Sequence, residues 1–368
     1  MLPKFLMVGL VAGFSHSPLT AALASGLLKN YQPILPYEWP CPDAVSIQPC
    51  SCTADEYKNM RIDCSQVRNN NELARVFNVT FPFEHFLELK IDHDPSDQNN
   101  DLSALNPGVF HALTFERVII KGTRLTVVEE NAFSKSHDTL KYMNLANNRL
   151  EKFPFETIVS YTRLDSLVLD DNNLKVLPVL ESESLQVLSV SGNTGLIFED
   201  IVFFSALSLT RINMARIGLR ILSPDIFSKL NYSMIINLEQ NNLHELDVFA
   251  FNPPTKSLLQ VLLNQNKISK VRHDFITGLA EGADLNMANN EITDMPEEIW
   301  KPIFDQVPSG FIDLSGNPLS CGCDMAWIYL EPTGKYRTVF TDTTTCYDGT
   351  QVTFLDEHFF QIQCTGET

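Results

Sequence analysis

The stretch Leu140-Lys141-Tyr142-Met143-Asn144-Leu145-Ala146-Asn147-Asn148-Arg149-Leu150 decides the fold. Its apolar residues Leu140, Met143, Leu145 and Leu150 stand three, two and five positions apart, and Asn148 lies between the last two. Residues two apart on a strand share a face, so Met143 and Leu145 point one way while Tyr142, Asn144 and Ala146 point the other. The first face is apolar and has to be buried. A strand this short cannot bury itself, so it must pack on other copies of the same pattern.

Such copies exist. With Asn148 as the mark, equivalent positions fall at Asp94, Thr123, Asn172, Asn193, Ile217, Asn241, Asn266, Asn290 and Asn317, 21 to 29 residues apart and mostly near 24. Inward pairs keep phase with them, from Leu89 and Ile91 through Leu167 and Leu169 to Ile312 and Leu314. Both the spacing L-x-x-L-x-L-x-x-N-x-L and a period near 24 are those of a leucine-rich repeat. The fold predicted is an α/β, right-handed leucine-rich-repeat solenoid, a horseshoe of about ten coils with a concave parallel β-sheet. The Asn is short and both donates and accepts, so it can satisfy the inward turn, and the next coil's backbone is expected to meet it. Ile217 cannot do this, and Thr123 and Asp94 only partly can, so those three coils are expected to be irregular. Phe110, Phe133, Phe227 and Phe251 each lie five residues beyond an apolar position and predict a convex spine of packed rings. The 21-residue step from Asn172 to Asn193 leaves no room for this Phe.

The eight cysteines sit outside the repeats in two sets, Cys41, Cys50, Cys52 and Cys64, then Cys321, Cys323, Cys346 and Cys364. An even count at the two ends predicts disulfide caps in an oxidising compartment, with three pairings open in each cap. Zinc is the weaker alternative, because neither set has two closely spaced pairs. Lys4, the apolar run from Phe5 to Phe14 and Ala22-Leu23-Ala24 have the pattern of a signal peptide. The organisation expected is therefore signal peptide 1–24, leader 25–40, N-cap 41–85, repeat array 86–316, C-cap 317–364 and tail 365–368. No later run reaches the roughly 20 apolar residues of a membrane helix, and no lipid-anchor tail follows, so a secreted, extracellular protein without a membrane anchor is predicted.

A net charge of −18 argues against a nucleic-acid partner. No nucleophile elbow, phosphate loop, dinucleotide fingerprint or zinc-protease motif occurs, so neither catalysis nor a cofactor is predicted. Asp92-His93-Asp94 beside the acidic loop Asp94–Asp101 is the nearest approach to a cation site, but solvated surface charge accounts for it better, and no metal is expected. Asn78-Val79-Thr80 and Asn231-Tyr232-Ser233 are glycosylation sequons.

The concave sheet is then the default functional surface. Its outward positions include Lys90, Arg117, Lys121, Tyr142, Asn144, Asp170, Arg211, Asn213, Asn237, Glu239, Gln260 and Asn286, a mostly polar face suited to a protein partner. The alternative is recognition of microbial or matrix glycans, for which outward aromatics such as Tyr142 and Phe311 would matter.

From Cys41 to Cys364 the chain resembles extracellular leucine-rich-repeat proteins: Cys41-Pro42 through Cys50-x-Cys52 to Cys64 is similar to their N-terminal flank, and Asn317-Pro318-Leu319 with Cys321-Gly322-Cys323, Cys346 and Cys364 to their C-terminal flank. The resemblance implies Cys41–Cys52, Cys50–Cys64, Cys321–Cys346 and Cys323–Cys364 pairing. More narrowly, Cys41-Pro42-Asp43-Ala44, Cys50-Ser51-Cys52-Thr53 and the run from Cys321 to Ile328 resemble the non-catalytic subunits of crustacean luciferases. That implies an accessory or stabilising role beside a small catalytic chain.

Overall fold

The computed structural model describes residues 40–364 apart from Gln98 and Ser233. The expected signal peptide, nearly all of the leader, and the tail lie outside the described residues. The main sheet has 12 strands. Its first two, Ser51–Ala54 and Met60–Asp63, form an antiparallel pair in the N-terminal cap. From Met60–Asp63 onward every neighbour is parallel and follows chain order, ending at Phe311–Asp313.

Register stacks the inward residues into one row. Ile62 lies opposite Leu89, Leu89 opposite Val118, Val118 opposite Met143 and Met143 opposite Leu167, and the row continues through Leu188, Ile212, Ile236, Val261 and Leu285 to Ile312. All of these side chains are buried. A slip of one residue would turn the whole row to water, which is why the apolar alternation holds the register. The solenoid of about ten turns follows from the period.

The Asn positions work differently from expectation. Asn172 accepts a hydrogen bond from Leu150 N at 2.9 Å and donates to Leu145 O at 2.9 Å and Leu169 O at 3.0 Å. Its partners outside its own coil lie in the preceding coil. Asn193, Asn241, Asn266, Asn290 and Asn317 repeat the arrangement. The direction has a cause: at this point main-chain N–H groups donate forward, Leu145 N to Val168 O and Asn147 N to Asp170 O. The inward carbonyl of Leu145 is met by amide side chains instead, those of Asn148 at 2.8 Å and Asn172 at 2.9 Å.

The coils expected to be irregular are adjusted locally. Ile217 is buried, and Asn241 accepts from the N–H groups of Ile217, Gly218 and Leu219, so the flanking strands stay in register. Thr123 donates from its hydroxyl to Asn148 at 2.6 Å. Asp94 leaves the ladder altogether: exposed, it accepts from Ser96 N and Oγ. In its stead the inserted loop buries Asn100, which donates to Gly122 O at 3.1 Å and accepts from Leu102 N at 3.2 Å.

Opposite the sheet, rings stack between coils. Phe110 stacks on Phe133 at 4.9 Å, and Phe203 on Phe227 at 5.9 Å and Phe227 on Phe251 at 5.5 Å. Phe203 extends the spine beyond its expected members, and the short coil that follows Asn172 contributes no Phe to it. At the N-terminal end the helix Asn70–Phe77 starts at Asn69, whose side chain accepts from Glu72 N, while Glu72 accepts from Arg68 N. These reciprocal bonds fix the helix start. Disulfides join Cys41 to Cys52, Cys50 to Cys64, Cys321 to Cys346 and Cys323 to Cys364. The C-terminal cap is also tied to the array by the Trp327 indole, which donates to Met295 O at 2.8 Å. Among the described residues no helix is long and apolar enough to cross a membrane.

Candidate functional site

The parallel register assembles the outward positions into rows. One row runs Asp63, Lys90, Ile119, Asn144, Val168, Ser189, Asn213, Asn237, Leu262, Asn286, Asp313. Its neighbour runs Arg61, Glu88, Arg117, Tyr142, Ser166, Val187, Arg211, Ile235, Gln260, Asp284, Phe311. Lys121, paired with Asp92, lies on a third line, and Asp170 and Glu239 occupy the corresponding position of their coils. All twelve candidate contact residues are therefore on the face that the sheet turns away from the core; Arg211 is exposed and the other eleven are half-buried.

At the N-terminal end the face is a set of cross-strand ion pairs. Lys90 lies 3.6 Å from Asp63, Lys121 3.7 Å from Asp92 and Arg117 3.3 Å from Glu88. The Arg117 guanidinium also covers the Tyr142 ring at 4.3 Å. Ser65, which donates to Asp63 through its N–H, and the Lys90 ammonium hold that carboxyl below its ordinary range although partial burial pushes the other way. The Asn residues of the central row are tied to their own turns. Asn144 accepts from Ala146 N at 3.0 Å, Asn213 from Ala215 N at 3.2 Å, Asn237 from Glu239 N at 2.9 Å and Asn286 from Ala288 N at 3.0 Å. A side-chain oxygen that takes the N–H two residues on ends a strand, and this is an Asx turn's chemistry.

Near the middle, Asp170 accepts from Ser189 Oγ at 2.5 Å and Ser191 N at 2.8 Å, and burial pushes its carboxyl up against those bonds. Beside it Arg216 pairs with Asp171 at 3.0 Å. Sequence reasoning passed over Asp171 and Arg216. Both stand immediately before a ladder position and have positive φ, 52° and 56°, as do Asn147, Gln240, Gln265 and Asn289. The recurrence of Asn147, Asp171, Gly192, Asn289 and Gly316 just before the ladder was the signal for Asp171, whereas nothing in the residue type marks Arg216. Among the described residues the side chains of Arg211 and Gln260 make no ion pair or hydrogen bond.

The other candidates lie elsewhere. Asp92-His93-Asp94 does not converge: Asp92 faces Lys121, Asp94 holds Ser96, and His93 is buried. Burial holds the His93 imidazole below its ordinary value, against the pull of Asn100, Asp97 and Asp92. Among the described residues no group of three or more His, Cys, Asp or Glu is placed to hold a metal ion. Asn78, at the C-terminal end of the helix Asn70–Phe77, and Asn231, in the turn before the strand Met234–Asn237, are both exposed.

A family model described as leucine-rich repeat matches residues 115–174. Over 332 residues the chain is 32% identical to the Oplophorus-luciferin 2-monooxygenase non-catalytic subunit of Oplophorus gracilirostris, covering 88% of this chain and 88% of that protein. It is 26% identical to osteomodulin of Rattus norvegicus over 44% of this chain and 38% of that protein. Among solved structures, the octameric complex of latrophilin 3, Unc5D and FLRT2 contains a chain that superposes with a TM-score of 0.62 at 15% identity, covering 88% of this chain and 100% of that one. The Toll–Spatzle complex gives 0.52 at 17% identity over 80% of this chain and 47% of that one. At these identities the two structures speak for the fold alone.

Proposed function

This chain belongs to the leucine-rich-repeat family that includes the Oplophorus-luciferin 2-monooxygenase non-catalytic subunit, and from that premise we propose that it is a secreted, non-enzymatic, protein-binding accessory subunit. Its protein partner, a small catalytic chain on this reading, is held on the outward face of the sheet. One observation carries the proposal. The sheet offers rows of ordered side chains that the core does not use, on a backbone whose parallel register continues from Met60–Asp63 to Phe311–Asp313. A rigid face of this kind loses little side-chain freedom on binding. Disulfides at both ends suit an extracellular setting. Of the two outward aromatics that the glycan alternative would use, the Tyr142 ring is already covered by Arg117 and Phe311 stands exposed alone at the C-terminal end of its row.

Arg211 is the residue to test, because it is exposed at the centre of its row. A tagged chain recovered from native secretion should bring down one small chain in fixed proportion. Arg211→Glu should weaken that association at least tenfold while leaving the melting midpoint within error. Full retention by Arg211→Glu, together with full retention by Gln260→Arg, would move the partner off this face.

A further inference from the structure

Away from the sheet's outward face, short two-residue ladders link successive coils along the flank. Ala104–Leu105 pairs with Val127–Val128, and Val127 bridges to Lys152. Further on, Val176–Leu177 pairs with Ile197–Phe198. Between these two ladders, among the described residues, no backbone hydrogen bond joins Glu151–Phe153 to Lys175–Leu177. The ladder is interrupted beside Pro154 and Pro178, residues that bring no amide donor.

A cleft of about 410 Å³ opens at the interruption, lined by Phe153, Pro154, Val176 and Pro178. Val176 is 55% exposed and its ladder partner Ile197 is 64% exposed, so apolar surface continues out of the cleft. Four carboxylates, those of Glu129, Glu130, Glu151 and Glu156, stand around the same cleft, and all four residues are exposed. Their side chains make no ion pair or hydrogen bond among the described residues. Of the two lysines in the lining, Lys175 donates its ammonium to Thr194 O at 2.9 Å. The cleft thus combines an apolar floor, an excess of negative charge and two strand edges that do not pair with each other.

We propose that this cleft docks an extended segment of a protein partner in which apolar side chains alternate with lysine or arginine. Apolar side chains would cover Phe153 and Val176, the cations would meet the glutamates, and main-chain groups would bond the open edges, as in strand addition. Charge complementarity selects this occupant: a polyanion or an acidic peptide would face four carboxylates against two lysines. The site is separate from the sheet face, so it neither needs nor excludes a partner there.

The probe is a labelled peptide of alternating lysine and valine, titrated into the full chain and followed by fluorescence anisotropy. Saturable binding is expected, at least tenfold weaker for Val176→Arg and unchanged for Arg211→Glu. The double variant Glu129→Gln/Glu151→Gln, altered only at exposed positions, should bind more weakly and with a flatter salt dependence. That variant decides the matter if Val176→Arg loses its thermal transition. Equal binding of a lysine–serine peptide, or wild-type affinity in the double variant, would overturn the proposal. So would a Val176-dependent dimer in sedimentation without peptide, which would make the occupant a second copy.

Discussion

Asn172 sits between two coils and satisfies main-chain groups of both, through Leu150 N, Leu145 O and Leu169 O. Truncating it leaves the Leu150 N–H buried without a partner, because Leu145 O keeps Asn148 and Leu169 O keeps Asn193, at a cost on the order of 1–3 kcal/mol. Asn172→Ala should therefore lower the unfolding free energy by about that much in a urea titration; a change within error would mean that water replaces the amide. The sequence made the residue legible through its spacing but not the direction in which it bonds. Direction depends on which carbonyls the main-chain ladder leaves over, and that is a property of two coils together. For the same reason Asp94, in register by counting, is displaced in the structure by Asn100: an inserted loop can bury whichever amide reaches Gly122 O. The residue before each ladder position also has a backbone demand. A Cβ on Gly192, at φ +73°, would meet Asp171 Oδ1 at 2.2 Å.

At the scale of elements, strands and ring stacks divide the work. The strands are legible because alternation with a period of two is a strong signal where one face is buried. The ring stacks are legible only in part. Phe203 lies five residues beyond Phe198, the same offset that marks Phe227 after Leu222, but Phe198 is aromatic where Val128, Leu222 and Leu246 are aliphatic. Phe227 stacks between Phe203 and Phe251 and is fully buried. Phe227→Ala should cost about 3–5 kcal/mol, since deletion of a buried ring leaves a cavity that close neighbours cannot fill. A loss below about 1 kcal/mol in the same urea titration would show that the stack relaxes instead. The Asn residues of the outward row were legible as surface residues, yet their bonds to the N–H groups two residues on show that they also end strands. They are half-structural, which is why Arg211 and Gln260 are better probes of binding than Asn144.

Over the whole molecule, the terminal coils have a core edge on one side that only a cap can cover. In the structure the caps are each held by two disulfides, and the C-terminal cap is further tied by Trp327 to Met295 O. Reduction should therefore fray the array from its ends. Hydrogen exchange on the reduced protein should lose protection first in Met60–Asp63 and Phe311–Asp313 and last in Ser166–Val168. Simultaneous loss in all three strands would show that the array melts as one unit without help from its caps. The sequence by itself determined the repeat, its register, the buried row and the caps, because these follow from spacing, and spacing survives without coordinates. Only the tertiary structure decided which outward side chains are already paired, where the Asn ladder sends its bonds, and that the flank ladder opens beside Pro154 and Pro178. Those depend on contacts between residues some 20 to 30 apart in the chain, whose distances and free lone pairs exist only after the coils have stacked.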